Sequence, residues 1–357
     1  VCNGHRVKYV AATATIRGAE NDAGLMYGRD LNIFPPPLIT IRDNFFAKEI
    51  PVTEKDGRIH IGLLSPYGKS RTLMVRPTAS LLQNSNIIEK SNISSDRDLD
   101  PYWTLVLYYN SLRELGGGQS DLRKNIPQSI QLISNITDTD SRNLAWDIEL
   151  TSRKTAEQLR EAKKAMEFSL GEDENVVDVV STSNMFQVGI DIGRLGLMGI
   201  VGQPKSNSEY IQSSGRVGRK HPGLVISYLK GNYPRDQSHY EHFRAFHQEI
   251  YAHVDQTSIT PFSTRALDRA FPSTMMLLFR LGNKKLKEVD SLTKLGTKND
   301  VKRDCRKLIE SFVKEIERRQ KDRDISEVLI DEGKQIIYTK YDRLKHFVEH
   351  AKEKEST

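Results

Sequence analysis

Arg216 and Arg219 stand three residues apart in the string Gln212-Ser-Ser-Gly-Arg-Val-Gly-Arg219. On a helix or at its end, that spacing turns both guanidinium groups the same way. Each planar fork can bind two oxygens at once, so the pair suits a polyphosphate. Gly215 and Gly218 leave the backbone bare beside them, and Gln212 can reach an orienting carboxylate or water. A solvated basic helix end would use the same residue types, so the string alone leaves both readings open.

Three other segments carry chemistry-like spacing. A phosphate loop needs Gly-x-x-x-x-Gly-Lys-Ser/Thr. Gly68-Lys69-Ser70 has Gly62 one position too far upstream, and is read as a loop between a strand and a helix. Val328-Leu-Ile-Asp331-Glu332 resembles a strand ending in paired carboxylates, but it lies in a charged helical tail and is read as helix, with Gly333 a point where that helix could break. His239, His242, His247 and His253 lack a Cys, Asp or Glu that completes a ligand set, so they are read as solvated or packed helix residues, and no metal site is expected.

Elements must position these groups. Apolar β-branched runs occur at Arg58–Leu64, Thr104–Tyr109, Asp147–Leu150, Val176–Val180, Leu197–Val201 and Leu224–Tyr228. Helical spacing between them, as in Thr155–Leu170 with Thr151-Ser152 as its cap, predicts strand-helix alternation. Nearly all-apolar strands imply a parallel sheet covered on both faces, an α/β doubly wound fold. A further helix is expected over Ser206–Arg219. Pro35-Pro36-Pro37 marks 17–56 as an extended connecting segment, 83–101 reads as a mobile polar loop, and Gly116-Gly117-Gly118 as a loop or kink. Beyond Tyr233 the pattern is all-helical, with a stripe of Val301, Cys305, Leu308, Ile309, Phe312, Val313 and Ile316, and a less clean one from Ile325 to Val348.

The chain has 357 residues, and its charge is mildly basic, 53 − 47 = +6. That permits a phosphate-rich partner without demanding one. Two cysteines exclude a disulfide framework and a four-cysteine zinc site, and suit a reducing, cytoplasmic setting. No apolar run reaches the ~18 residues of a membrane helix. Opening at Val1 directly into an apolar run reads as a piece of something longer. No carboxylate cluster supports a nuclease.

The order of motifs resembles the C-terminal half of superfamily 2 helicases. Gln212-x-x-Gly-Arg-x-Gly-Arg219 looks like motif VI, Ser183-x-x-x-x-x-Gly189-Ile-Asp191 like motif V, and Leu105–Ser111 like the motif IV strand. Thr151-Ser-Arg153 resembles the strand-end motif after it, and Thr13-Ala-Thr-Ile16 motif III. Phe34-Pro-Pro-Pro, Asp43–Ala47, Gly202–Ile211 and Ser258–Asp268 are similar to the large helicase-like subunit of the DISARM phage-defence system and its relatives, over roughly 1–282.

The resemblance implies the following. Residues 1–16 end a first RecA-like domain, 57–232 form the second, 233–283 a helical extension and 284–357 a charged helical tail. ATP sits between the two RecA-like domains, with Mg2+ held by the first, outside this chain. Arg216 and Arg219 act as arginine fingers and Gln212 couples them to the other domain. Gly189 and Asp191 line the nucleotide, with Asp191 bonding ribose or a finger. Ser183, Asn110, Ser111 and Arg153 contact the backbone of a nucleic-acid strand, which the resemblance makes DNA. Thr13 and Thr15 link ATP state to strand grip. Other subunits of a defence complex are implied partners, and no membrane. The parent protein would be an ATP-dependent helicase or translocase, this chain alone being inactive. The competing reading is a non-catalytic scaffold or nucleic-acid-binding module.

Overall fold

The computed structural model describes residues 8–12, 18–34, 36, 45–46, 48–65, 70–91, 93–173, 175–184, 191–255, 259–260, 263–321 and 326–355. Two compact units emerge: one holds Thr13–Arg17 and Ile39–Asp255, the other Val1–Ala12, Gly18–Leu38 and Gln256–Thr357. Motif-III-like Thr13 and Thr15, Gly189 and the Gly68-Lys69 pair lie outside the described residues.

The first element, α1 (Ala19–Tyr27), belongs to the second unit. It is a helix within the segment expected to be extended. Gly18 and Gly28 bracket it in left-handed conformations, which suits residues without a Cβ.

The first unit is built on β1 (Arg58–Ser65), α2 (Ser70–Ser91), α3 (Asp96–Trp103), β2 (Leu105–Tyr109), α4 (Leu112–Arg123), α5 (Asn125–Thr137), β3 (Asp147–Leu150), α6 (Ala156–Ala165), β4 (Val179–Thr182), β5 (Leu197–Val201), α7 (Asn207–Ser214), β6 (Gly223–Lys230), α8 (Pro234–Glu241) and α9 (Phe243–Gln248). All six strands are parallel, in the order β1-β6-β5-β2-β4-β3. Leu105 pairs with Leu197 and Leu197 with Leu224, so the central strands start level. Every residue of β2 is buried, and alternation sorts its side chains onto two faces. Val106 and Tyr108 join Met166, Tyr210 and Phe246 on one face; Leu105, Leu107 and Tyr109 join Met74, Leu82, Leu115 and Ile126 on the other. Burying each such side chain contributes roughly 1.5–3 kcal/mol, so the two faces supply most of the cohesion.

Three expectations about this unit change. Residues 83–101 are not a loop: α2 runs to Ser91 and α3 begins at Asp96. The polar Gln83 and Asn86 of α2 are buried because their amides bond the carbonyl of Asp140, at 2.8 and 3.0 Å. Gly116–Gly118 lies inside α4, where a Cβ on Gly118 would come 2.1 Å from the Tyr109 hydroxyl. The cap of α6 is Thr155, not Thr151 or Ser152; Thr155 and Gln158 form a reciprocal capping box, and the helix ends at Ala165 rather than Leu170.

The second unit packs α10 (Thr264–Gly282), the short α11 (Lys294–Thr297), α12 (Asn299–Lys321) and α13 (Glu327–Glu355). Phe271, Met275 and Phe279 of α10 meet Val301, Cys305, Ile309 and Ile316 of α12 and Ile330, Ile337 and Tyr341 of α13. The Val328–Glu332 stretch is helical, as expected, and Gly333 does not interrupt α13. Among the described residues no helix is long and apolar enough to cross a membrane.

Candidate functional site

The arginine pair does not ride on a helix. Ser206 caps α7 by accepting from the Glu209 N–H at 3.1 Å, and the helix closes at Ser214 rather than continuing to Arg219. The chain then tightens, with Arg216 N–H bonding the Ser213 carbonyl at 3.0 Å. Val217 is fully buried, and its carbonyl accepts from Arg58 Nε at 2.9 Å. Gly218 takes a φ of 66° and its N–H donates to the Leu195 carbonyl at 2.8 Å. A Cβ at Gly218 would sit 2.7 Å from the Gly223 Cα, so this close approach of two backbone segments requires glycine. Tertiary anchoring of Val217 and Gly218 therefore aims the arginines.

Arg219 donates from Nε to the Gly215 carbonyl at 3.0 Å, and from Nη1 to Asp191 Oδ1. Asp191 is well exposed and Arg219 partly so. Partial burial, then the adjacent positive charge of Arg219, lowers the proton affinity of half-buried Arg216, while Asp191 opposes that trend. Arginine nonetheless remains a cation. Gln212 lies half-buried in the last turn of α7. Arg216, Arg219, Asp191 and Gln212 thus belong to one neighbourhood, and the loop bearing the arginines leads into the amino end of β6 and is bonded through Gly218 beside the amino end of β5.

The other candidates gather at the carboxyl ends of the strands. A five-residue strand at ~3.3 Å per residue separates the two edges by roughly 17 Å. Asn110 and Ser111 follow β2, Arg153 follows β3 and Ser183 follows β4. Their side chains are engaged unequally. Asn110 Nδ2 is 3.2 Å from the carbonyls of Val201, Gly202 and Gln203, holding the turn after β5. Ser111 caps α4 by accepting from the Glu114 N–H at 3.2 Å. Ser183 is buried and its hydroxyl donates to Asn184 Oδ1 at 3.3 Å. Arg153 is exposed, its backbone N–H held by Thr151 Oγ1 at 3.3 Å.

Arg58 escaped the sequence reading. It reaches the arginine loop across 159 residues, and no local spacing marks such a contact. The histidines are packed or solvated: His239 and His253 lie on the Phe246 ring, His247 bonds the Tyr210 hydroxyl at 2.8 Å, and His242 is exposed, with Nδ1 2.9 Å from the Ser238 carbonyl. Among the described residues no three His, Cys, Asp or Glu side chains cluster as a metal site.

Known proteins resemble parts of this chain. Residues 135–221 match the helicase conserved C-terminal domain. The chain is 42% identical over 277 residues to the DISARM protein DrmA of Bacillus paralicheniformis, a match covering 77% of the chain and 24% of that protein. It therefore spans about a quarter of the length of that curated relative. Among solved structures, a Mycobacterium smegmatis helicase, Lhr, bound to single-stranded DNA and AMP-PNP aligns at 13% identity and TM-score 0.45, over 76% of this chain and 29% of that one. The DUF1998 helicase MrfA bound to DNA aligns at 16% identity and TM-score 0.41, over 65% of this chain and 26% of that one. Within its parallel-sheet unit the chain thus carries, over residues 135–221, a match to the helicase conserved C-terminal domain.

Proposed function

We propose that the chain is the C-terminal half of an ATP-dependent nucleic-acid helicase or translocase, in which Arg219 and Arg216 serve as arginine fingers. The observation that carries this reading is the loop after α7, which holds both guanidinium groups at one sheet edge by backbone contacts of Val217 and Gly218. The residues fit a triphosphate: two cations, a bare glycine backbone, and an exposed Asp191 carboxylate able to release Arg219 or bond a ribose hydroxyl. Arginines so placed offset negative charge that develops on the transferring phosphoryl oxygens. The phosphate loop and the carboxylates for Mg2+ are assigned to a first RecA-like domain beyond these residues. The strand, DNA on this reading, runs along the carboxyl edge of the sheet, where Arg153 is the exposed cation among the candidates. Such contacts address phosphate and sugar, so they carry little sequence preference.

The test is strand-stimulated ATP hydrolysis by the full-length protein carrying Arg219→Ala. Turnover should fall by about 10³–10⁵ with the fold intact. Unchanged turnover would leave the scaffold reading in its place.

A further inference from the structure

A cavity of about 700 Å³ opens beside β1, α7 and α9, within the size range of small-molecule sites. Arg58, His60, Phe243, Arg244, His247 and Tyr251 line it. The Phe243 ring rests on Gly62 of β1, where a Cβ would come within 2.8 Å of it, so the sheet itself seats the ring.

A chain of hydrogen bonds fixes what His60 offers. His247 Nδ1 lies 2.7 Å from the Phe243 carbonyl, which can only accept, so Nδ1 carries the His247 proton. His247 Nε2 then accepts from the Tyr210 hydroxyl at 2.8 Å. With its proton committed there, the Tyr210 oxygen accepts from His60 Nδ1–H at 3.0 Å. His60 Nε2 is left as an unprotonated acceptor, and no protein donor meets it among the described residues. Burial, with His247 and Arg58 nearby, pulls the His60 pKa down to about 3, which keeps the ring neutral. On the anion-binding side, among the described residues Arg58 spends only Nε, on the Val217 carbonyl, and Arg244 is exposed.

We propose that this cavity binds a mononucleotide unit, a nucleobase with its phosphate. The base lies among Phe243, Tyr251 and the histidine rings and gives an N–H to His60 Nε2, while Arg58 and Arg244 take the phosphate. Planar bases stack on aromatic side chains irrespective of sequence, and guanidinium forks match phosphate oxygens. Inorganic phosphate would leave the Phe243 and Tyr251 rings without a stacking partner, and a neutral aromatic amine would leave both guanidinium groups unused. The same unit could arrive as a free nucleotide or as one residue of a single strand.

Titration calorimetry of the 357-residue chain separates these outcomes. AMP should bind at least tenfold more tightly than adenosine or inorganic phosphate. His60→Phe, which keeps a ring and removes the acceptor, should weaken AMP about tenfold. Arg244→Gln should weaken AMP and leave adenosine unchanged; Arg244 is exposed, so this variant carries the test even if His60→Phe misfolds. Arg219→Ala should leave AMP affinity unaltered, which separates this cavity from the ATP site proposed above. If AMP fails to bind but a deoxyadenosine octamer loses affinity in both variants, the occupant is a strand base. Affinities of both ligands unmoved by either substitution, or phosphate binding as tightly as AMP, would overturn the proposal.

Discussion

Arg142 and Arg219 each bond an aspartate in the same sheet unit, in contrasting surroundings. The Arg142 side chain is 2% exposed and that of Asp178 7%. Arg142 Nη2 lies 2.8 Å from Asp178 Oδ1 and 3.0 Å from the Trp103 carbonyl, and Nη1 bonds the Leu82 carbonyl and Ser85 Oγ. The guanidinium also sits 3.8 Å from the Trp103 ring centroid. Asp178 gives its second oxygen to the Trp146 N–H at 3.0 Å. Arg219 is 35% exposed, its partner Asp191 69%, and it bonds one carbonyl and one carboxylate. A charge withdrawn from water must have its hydrogen-bonding capacity filled by protein, so Arg142 is consumed in tying α2, α3 and β4 together. A charge left at the surface holds its partner weakly, so Arg219 can exchange Asp191 for a ligand at little cost.

The largest effect that would sharpen this contrast is at Asp178. Asp178→Ala strands the buried Arg142 cation and should destabilise the unit by about 3–5 kcal/mol, read as a lower urea midpoint. A loss below ~1 kcal/mol would mean that water reaches Arg142 and that the contrast is false. His60 extends the comparison to a buried base kept neutral. Its pKa of about 3 lies below the ordinary 6.5, with burial the leading cause and His247 and Arg58 adding to it. The unfolded chain therefore binds the extra proton first. Stability from this group is complete above pH ~6.5 and is lost as pH falls toward ~3, on the order of 2–4 kcal/mol in all. The measurable quantity is the difference between wild type and His60→Phe across that window, which cancels the carboxylates common to both. Parallel curves would remove His60 from the account.

The sheet was legible because buried strands leave little freedom of composition. Six β-branched runs are expected and six strands are present among the described residues, with β4 displaced to Val179–Thr182. Its polar end is strand because Ser181 and Thr182 sit between buried neighbours, and Thr182 Oγ1 donates to the Leu150 carbonyl at 3.0 Å. Tertiary hydrogen bonds hid α2: Gln83, Asn86 and Ser85 look like loop residues until Arg142 and Asp140 arrive to pair with them. At the arginine loop, the residue types were readable in the string itself. Their presentation was not, because Gly218 is left-handed for the sake of Gly223, and Arg58 comes from the far end of the unit. The carboxyl-edge candidates were named by chain position, which says nothing of how much of each side chain the fold has already used.

Two smaller effects probe the loop. Gly218→Ala should cost about 1–3 kcal/mol, since it combines a left-handed backbone with a backbone clash. A neutral result would mean that the Val217 anchor alone sets the loop. The smallest effect belongs to the exposed pair. Asp191→Asn keeps the shape and removes the charge, and should shift unfolding stability by less than ~0.5 kcal/mol, with the difference shrinking further at 1 M salt as screening tightens to ~3 Å. Were it instead to approach the loss seen for Asp178→Ala and resist salt, Asp191 would be a structural anchor of Arg219. The guanidinium would then be committed to the protein as firmly as that of Arg142, and a loop that cannot release its arginine could not offer it to a phosphate.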